Sequence, residues 1–344
     1  MLGGSVGALV DDYDLVMFDL DGVVYIESVA VPGAPEQLAR LRGGNTRVAF
    51  ITNNASRPPQ AVAEKLAGLG VEADPDEVVT SAQAAAHLLV ERHGKDEVIA
   101  CLGAEGLEQA LREVGLHPAA VDDDRAAALV TGYGPDVVWR DVMRAAVRVR
   151  DGLPWVASNT DRSLPTKFGP APGHGVMVDM VERFSGVKAV VAGKPQRPLL
   201  DEAIRRLGGR RPLMVGDRLD TDIEGANNIG IHSLLVMTGV TGLPELAAAG
   251  PELRPTYVSV GLEGMFAPHL APEREDSGWS CGGWRAAVED GSLGVSGEGA
   301  PDDWWRVVAC AAWEHLDHSG TAADLTGLAA PVAGQGPGGG NLPA

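Results

Sequence analysis

Two aspartates close the first apolar segment of the chain. In the stretch LVMFDLDGVVY, the apolar run from Leu15 to Phe18 is followed by Asp19, Asp21 and Gly22. In an extended chain, residues i and i+2 point to the same side, so the two carboxylates can face one place. Two adjacent carboxylates repel each other, so we expect either a nearby cation that offsets the repulsion or a chemical function that explains why both are present.

Three further apolar segments also end on polar groups. Thr52 and Asn53 end the stretch TRVAFITN, and Lys194 follows VVAG. Asp217 follows PLMVG, with Asp222 five residues later. Taken together, these strand ends describe one pocket lined by carboxylates, a hydroxyl and an ammonium group.

This set of residue types suits phosphoryl transfer. A carboxylate such as that of Asp19 can attack phosphorus and form an acyl phosphate. Asp21 can protonate the leaving alkoxide and later deprotonate water. Carboxylates on two loops can hold Mg²⁺, an oxygen-seeking cation. Lys194 and the Thr52 hydroxyl can bind the remaining phosphoryl oxygens, since positioning and charge stabilisation are the protein's main contributions to this chemistry.

The segments that must position these residues alternate between strands and helices. Short apolar runs predict strands at 15–19, 46–51, 98–102, 127–131, 154–158, 213–216 and 232–237. Helical spacing of apolar residues predicts helices at 58–70, 81–94 and 136–152. The fold class is therefore α/β, with a Rossmann-like parallel sheet covered on both faces. In such sheets, ligands bind beyond the carboxyl ends of the strands, which is where Asp19 lies.

Composition limits the classes of function. The chain has 344 residues, a net charge of −19 and 45% hydrophobic residues, which is typical of a globular protein. The acidic surface argues against nucleic acid or an anionic membrane as partner. No segment is apolar enough to predict a membrane span, and the N-terminus lacks the pattern of a signal peptide. Three cysteines without metal-ligand or disulfide spacing suit the cytoplasm, where we expect the protein to act.

The chain changes character after about residue 270. A hairpin-like stretch precedes a tryptophan-rich helical segment at 302–320, so we expect a small α+β appendage over 270–320. Its tryptophans are expected to form its own core or a packing face against the main domain. The glycine- and proline-rich tail 331–344 is expected to be disordered.

The ordered motifs DLDGVV, ITNNAS, GKP and GDRLDTDI resemble those of haloacid dehalogenase superfamily phosphatases. Asp19 and Thr52 are only 33 residues apart, whereas 142 residues separate Thr52 from Lys194. The long interval between Thr52 and Lys194 is similar to that of superfamily members with a type IIA cap. These members form the branch of p-nitrophenyl phosphatases, phosphoglycolate phosphatases and glycerol-3-phosphate phosphatases. The likeness covers about residues 12–265 and is strongest to bacterial glycerol-3-phosphate phosphatases, which act in glycerol and phospholipid metabolism and also carry a C-terminal segment.

The resemblance implies a domain organisation and a set of roles. It predicts a core domain at 12–82 and 181–265, with the cap inserted at 83–180. Asp19 would be the nucleophile and Asp21 the acid and base. Mg²⁺ would be held by Asp19, the main-chain carbonyl of Asp21 and Asp217, with Asp222 in support. Phosphate would be bound by Thr52, the Asn53 backbone and Lys194.

Three residues where the chain returns from cap to core are further candidates for substrate contact. Asn159 and Asp161 could shape the pocket, and His174 lies in the same region, although a loop histidine is more often simply solvated. The resemblance also implies a homodimer formed through the cap, for which the sequence gives no independent sign.

The expected activity is Mg²⁺-dependent hydrolysis of a small phosphorylated metabolite, first of all glycerol 3-phosphate. Phosphoglycolate, a sugar phosphate, a nucleotide and pyridoxal phosphate remain alternative substrates, because the geometry of the cap loops decides among them. A phosphotransferase on the same core is a second class of function. A binding role for the appendage is a third, although the complete set of catalytic residue types favours an enzyme.

Overall fold

A computed structural model describes residues 1–166 and 169–331 of the chain. Within that part the helices are α1 Leu9–Asp12, α2 Ala34–Arg42, α3 Pro59–Gly68, α4 Ser81–His93, α5 Glu105–Glu113, α6 Trp139–Arg150, α7 His174–Ser185, α8 Arg197–Leu207, α9 Glu224–Ile229, α10 Leu243–Ala247 and α11 Pro301–Ser319. The tail for which we expect disorder lies outside the described residues, apart from Pro331.

The strands are β1 Leu15–Asp19, β2 Tyr25–Ile26, β3 Val29–Ala30, β4 Arg47–Thr52, β5 Val78–Thr80, β6 Val98–Leu102, β7 His117–Ala119, β8 Ala128–Thr131, β9 Trp155–Ala157, β10 Ser163–Thr166, β11 Gly169–Pro172, β12 Val190–Val191, β13 Pro212–Gly216, β14 His232–Val236, β15 Tyr257–Ser259, β16 Glu273–Glu275, β17 Gly278–Cys281, β18 Trp284–Glu289 and β19 Ser292–Gly297. All seven predicted strands form, each with a boundary within two residues of its prediction.

A six-stranded parallel sheet, in the order β15-β14-β13-β1-β4-β5, carries the predicted strand ends. Its two faces pack into separate apolar clusters: Val16 and Phe18 belong to one, and Leu15 and Met17 belong to the other. A strand buried on both faces has no polar side to expose, which explains the continuous apolar runs in the sequence. The predicted α/β fold class is confirmed.

The order of the strands creates the site. β1 pairs with β4 on one side and with β13 on the other, so that Leu15 lies between Arg47 and Pro212. The strands that follow in the sequence are thus added first on one side of β1 and later on the other. Such a switch point opens a crevice at the carboxyl ends of the strands. Asp19 and Thr52 are the last residues of β1 and β4, so both border this crevice.

A second parallel sheet, in the order β12-β9-β8-β6-β7, lies between β5 and β13 in the sequence and is covered by α5, α6 and α7. The insertion of an α/β unit after Thr52 accounts for the long interval before Lys194. The proposed bounds 83–180 stay a prediction, since α4 begins at Ser81 and contributes to an apolar cluster shared with both sheets. β12 at Val190–Val191 also belongs to the inserted sheet.

The C-terminal segment is an antiparallel sheet of β16 to β19 with α11 against it. Trp279, Trp304, Trp305 and Trp313 are buried in one cluster, which also contains Val258 of the edge strand β15. The tryptophans therefore form both the core of this segment and its contact with the main sheet, as expected from the sequence.

Candidate active site

The structure brings four of the predicted residues to the carboxyl edge of the main sheet. Asp19 ends β1, Thr52 ends β4, and Asp217 follows β13 directly. Lys194 comes from the loop between β12 and α8. Asp19 keeps 13% of its side-chain surface exposed, whereas Lys194 keeps only 2%, so the carboxylate is the more accessible of the two.

The Lys194 ammonium lies between two carboxylates. Its Nζ donates to Asp19 Oδ1 at 2.5 Å and to Asp222 Oδ1 at 2.6 Å. Burial lowers the pKa of Lys194, but the two carboxylates outweigh burial and raise it, so the group stays charged. An ammonium has three donors, so one N–H remains for a phosphoryl oxygen.

The carboxylates of this edge are crowded. One oxygen each from Asp19, Asp217 and Asp222 lie within 4.8 Å of one another. Burial is the main cause that raises the pKa of Asp19, with Asp222 and Asp217 adding to it and Lys194 opposing it. Burial and the charge of Asp222 also raise the pKa of Asp217. One ammonium does not neutralise three carboxylates, so the cluster favours a further cation.

Asp217 offers an unused ligand atom for such a cation. Its Oδ2 accepts from the Val240 N–H at 2.6 Å, whereas its buried Oδ1 has no hydrogen-bond partner among the described residues. Two glycines allow the chain to pass close by: a Cβ on Gly22 or Gly239 would lie 2.4 or 2.0 Å from Asp217 Oδ2. An all-oxygen donor set of this charge fits Mg²⁺.

Asp21 lies at the accessible side of the site. The turn after it brings Tyr25 back beside Asp21, and the Tyr25 side chain opposes the rise in the pKa of that carboxyl. Solvent reaches Asp21, but the surrounding protein removes much of its hydration and raises its pKa, with Lys65 the strongest opposing charge. An elevated pKa suits a group that must donate a proton.

Sequence reasoning missed the contribution of Tyr25 and Lys65 to this side of the site. The Lys65 ammonium lies 3.3 Å from the centroid of the Tyr25 ring, a cation–π contact. Tyr25 in turn contacts Asp21, so these two side chains form one wall beside the acid. The scarcity of lysine, five in the whole chain, was the available signal for Lys65.

Thr52 is 4% exposed, and its Oγ1 accepts from the Asn54 N–H at 3.1 Å. Because that bond uses the oxygen as acceptor, the hydroxyl proton can be donated to a ligand. Thr52 therefore presents a donor at the same edge as Lys194.

The three candidates from the cap-exit segment, residues 157–175, where the chain returns from the cap to the core, lie together next to Asn53. Asn159 Nδ2 donates to the Asn53 carbonyl at 2.7 Å, and Asp161 Oδ1 accepts from Asn53 Nδ2 at 2.9 Å. His174 Nδ1 bonds to the Asn159 carbonyl at 2.8 Å. Burial lowers the pKa of His174 to about 4, so the ring is neutral at pH 7. A direct substrate contact by these residues stays a prediction.

Comparison with known proteins agrees with this geometry. Residues 16–117 match the model of a family described as haloacid dehalogenase-like hydrolase, and residues 191–264 match one described as HAD-hydrolase-like. The chain is 38% identical over 331 residues to the D-glycerol 3-phosphate phosphatase of Mycobacterium tuberculosis, covering 92% of this chain and 89% of that protein. It is 34% identical to an acid sugar phosphatase of Staphylococcus saprophyticus, covering 72% and 94%.

Solved structures show the same relationship. A crystal structure of the M. tuberculosis glycerol phosphate phosphatase in complex with magnesium matches with a TM-score of 0.81 at 38% identity, covering 90% of this chain and 93% of that one. A 4-nitrophenylphosphatase of Thermotoga maritima matches with a TM-score of 0.68 at 31% identity, covering 75% and 97%. The chain therefore belongs to the haloacid dehalogenase-like hydrolases, and within them to the phosphatases.

Proposed function

We propose that this phosphatase hydrolyses a small phosphomonoester, glycerol 3-phosphate in the first place, through an aspartyl-phosphate on Asp19. The observation that carries the proposal is the position of Asp19, a partly exposed carboxylate that contacts the Lys194 ammonium and has an oxygen within 4.8 Å of one from Asp217, whose Oδ1 has no hydrogen-bond partner among the described residues. A nucleophile, the ammonium group of Lys194 and a set of oxygen ligands for Mg²⁺ thus lie together at one edge of the sheet.

In the first step, Asp19 attacks phosphorus and the bond to the leaving alkoxide breaks. Asp21 donates its proton to that alkoxide, while the remaining N–H of Lys194 and the Thr52 hydroxyl hold phosphoryl oxygens. In the second step, Asp21 accepts a proton from water, which attacks the phosphoryl group and releases phosphate from Asp19. Asp21 thereby returns to its starting protonation state.

Asp19, the main-chain carbonyl of Asp21 and Asp217 would hold Mg²⁺, with Asp222 in support. When bound, the metal supplies positive charge that offsets the repulsion between the carboxylates and the phosphoryl oxygens. The relative solved with magnesium supports this choice of cation.

Glycerol 3-phosphate is proposed because the M. tuberculosis relative, which bears that substrate in its name, matches 92% of this chain, including much of the C-terminal segment. The sugar phosphatases match a shorter part. The inserted α/β unit contacts the edge of the site through Asn159 and Asp161, so we expect it to exclude bulky substrates. Phosphoglycolate and sugar phosphates are the alternatives that a substrate panel must include.

The test is phosphate release from such a panel, with and without Mg²⁺, by the wild-type chain and Asp19→Asn. We expect Mg²⁺-dependent release that falls at least about 1,000-fold in the variant, because an amide cannot replace the carboxylate as nucleophile. Asp201→Asn, at an exposed position on α8, is the matched control. Activity that survives in Asp19→Asn would contradict the mechanism, and a preference for another phosphoester would contradict only the substrate.

We also propose a homodimer formed through the inserted unit. Trp139, Met143 and Val147 form an exposed apolar stripe along α6, with exposed fractions of 61%, 49% and 38%. Arg144 and Asp122 border this stripe as an ion pair at 2.9 Å, so the charges beside it are balanced and do not repel the same surface of a second copy. Light scattering after size exclusion tests this: Met143→Glu should shift the mass from dimer to monomer, and a monomeric wild type would exclude the dimer.

We propose the cytoplasm as the place of action, supported by three free cysteines. Among the described residues, none of the helices has the length and hydropathy that crossing a bilayer requires.

A further inference from the structure

The main chain of Lys194 is held at two points by one side chain. The Lys194 N–H donates to Asn53 Oδ1 at 2.9 Å, and the Lys194 carbonyl accepts from Asn53 Nδ2 at 3.0 Å. These bonds cross from the end of β4 to the loop before α8. Lys194 lies in a loop, so its ammonium depends on such contacts for its position.

The orientation of the Asn53 amide is determined by its surroundings. Its Nδ2 also donates to Asp161 Oδ1 at 2.9 Å. The amide therefore uses its oxygen and both N–H groups. A flipped amide would place its oxygen against two other oxygens, the Lys194 carbonyl and the Asp161 carboxylate. Asp161, from the cap-exit segment, thus selects the orientation in which Asn53 can hold Lys194.

Further contacts fix the backbone around this amide. The Asn53 carbonyl accepts from Ser81 Oγ at 2.5 Å and from Asn159 Nδ2 at 2.7 Å. A Cβ on Gly193 would lie 2.5 Å from Asn53 Oδ1, so only glycine permits the loop to come this close. Asn53 itself is 8% exposed. The hydrogen bonds of Asn53 are thus buried, apart from the partly buried one to Asp161, and they pair the oxygen and both N–H groups of its amide.

We infer that Asn53 and Asp161 are positioning residues, which fix Lys194 for phosphoryl binding and make the cap-exit segment part of the phosphate side of the site. This role rests on the proposed phosphatase function and differs from a contact between Asp161 and the substrate. A positioning role acts on the phosphoryl group, which all phosphomonoesters share. A direct contact would act on the leaving group, which differs from one substrate to another.

The experiment compares Asp161→Ala and Asp161→Asn with the wild type, using glycerol 3-phosphate and p-nitrophenyl phosphate. We expect Asp161→Ala to lower kcat/KM by about 10- to 100-fold and by the same factor for both substrates, the range seen when partners that orient a site are removed. Asp161→Asn should retain most of the activity, because its side-chain oxygen can still accept from Asn53 Nδ2. Asn53→Ala should reduce activity at least as much as Asp161→Ala.

Asn227→Ala is the matched control, since its amide also bonds to two main-chain carbonyls, those of Glu252 and Arg254, outside the site. Thermal unfolding of each variant separates a general loss of fold from mispositioning. Unequal factors for the two substrates would overturn the inference and indicate a contact with the leaving group. A loss below about twofold in Asp161→Ala would also overturn it. Absence of turnover by the wild type on both substrates would instead reject the proposed function.

Discussion

Asp19 and Asp21 are only two residues apart, yet the protein gives them different surroundings. Burial, Asp222 and Asp217 raise the pKa of Asp19, but its carboxylate contacts the Lys194 ammonium, whose charge favours the ionised form that a nucleophile needs. Burial also raises the pKa of Asp21, which lies beside Tyr25 at the accessible side of the site, where its protonated form can act as a proton donor. The ammonium contact is therefore the difference that suits two identical side chains to different tasks.

The leaving group tests the task of Asp21. Asp21→Asn should lower kcat for glycerol 3-phosphate by about 100- to 10,000-fold, the usual contribution of general acid catalysis. The loss in the first step should be much smaller for p-nitrophenyl phosphate, because p-nitrophenolate leaves without a proton, whereas the second step, in which Asp21 activates water, should slow alike for both substrates. Release of the alcohol or phenol in a single turnover measures the first step alone, and equal losses in that step would contradict an acid role for Asp21.

Asp217 should report on the metal both in turnover and in thermal stability. Asp217→Asn removes a charged ligand, so we expect the Mg²⁺ concentration for half-maximal activity to rise by about tenfold or more. Added Mg²⁺ should also raise the thermal midpoint of the wild type more than that of the variant, since a ligand stabilises the state that binds it. Asp220→Asn, an exposed neighbour, is the control. An unchanged Mg²⁺ response in Asp217→Asn would exclude this residue as a ligand.

Sequence reasoning reached the residues whose function follows from residue type and strand position, such as Asp19, Thr52 and Lys194. It did not reach the amide of Asn53, because its partners are 108 and 141 residues away and depend on how two sheets pack. Tyr25 was missed for a similar reason, since its contact with Lys65 joins two separate elements.

At the scale of elements, α5 illustrates how the inserted unit meets the core. Its second residue, Gly106, donates from its N–H to the Ser56 carbonyl at 3.2 Å. A Cβ at this position would lie 2.6 Å from the Arg57 carbonyl carbon and 2.7 Å from the Ala55 oxygen. The first turn of α5 thus packs directly on the loop that follows Thr52.

Gly106→Ala should therefore disturb both stability and catalysis. We expect a loss of about 1–3 kcal/mol in the free energy of unfolding, as for other overpacked contacts, together with a lower kcat/KM. Urea unfolding and steady-state kinetics measure the two effects. Gly68→Ala is the control, because its Cβ would meet nothing within 4 Å and alanine favours a helix. Equal free energies of unfolding and equal kcat/KM values for the two variants would show that the close contact of α5 contributes to neither stability nor catalysis.

The element pattern was the most predictable level of the structure. Continuous apolar runs predicted β1 and β13 because strands buried on both faces have no alternative. The run VVAG predicts a strand end before Lys194, but sequence reasoning neither assigns bounds to β12 nor places it in the inserted sheet, since two valines carry too little periodicity to define a strand. The sequence predicted a hairpin-like stretch in the C-terminal segment, whereas the structure has a sheet of four strands there.

At the scale of the whole molecule, a buried charge network attaches the C-terminal segment to the main sheet. Arg306 of α11 donates to Asp303 Oδ1 at 2.7 Å and to the Val258 carbonyl of β15 at 3.2 Å. It also lies 2.9 Å from His269 Nδ1, whose other ring nitrogen bonds to the Gly264 carbonyl. The segment is thus fixed to the edge of the sheet by an arginine that cannot leave without breaking these bonds.

This network should make stability depend on pH. Burial is the main cause that lowers the pKa of His269 to about 4, with Arg306 adding to it, whereas an unfolded histidine has a pKa near 6.5. Between these values the unfolded chain binds the proton and the folded chain does not, so stability falls as pH falls. We expect a loss of about 2 kcal/mol between pH 7 and pH 5 from this group.

Urea unfolding at the two pH values measures that loss, and His269→Gln should reduce it. His117→Gln, at an exposed position, should leave the pH dependence as in the wild type. A slope that stayed the same in His269→Gln would assign the pH dependence to other groups.

The second sheet is inserted in the sequence between two strands of the first, which has a consequence for synthesis on the ribosome. The central strand β1 emerges early, but its partner β13 begins at Pro212, about 190 residues later, so at 5–20 residues per second it waits roughly 10–40 s. The inserted sheet draws on one continuous stretch, between Val98 and Val191, and can be completed first. The nascent chain would thus carry a folded inner unit while Asp19 still lacks the neighbours that make it reactive.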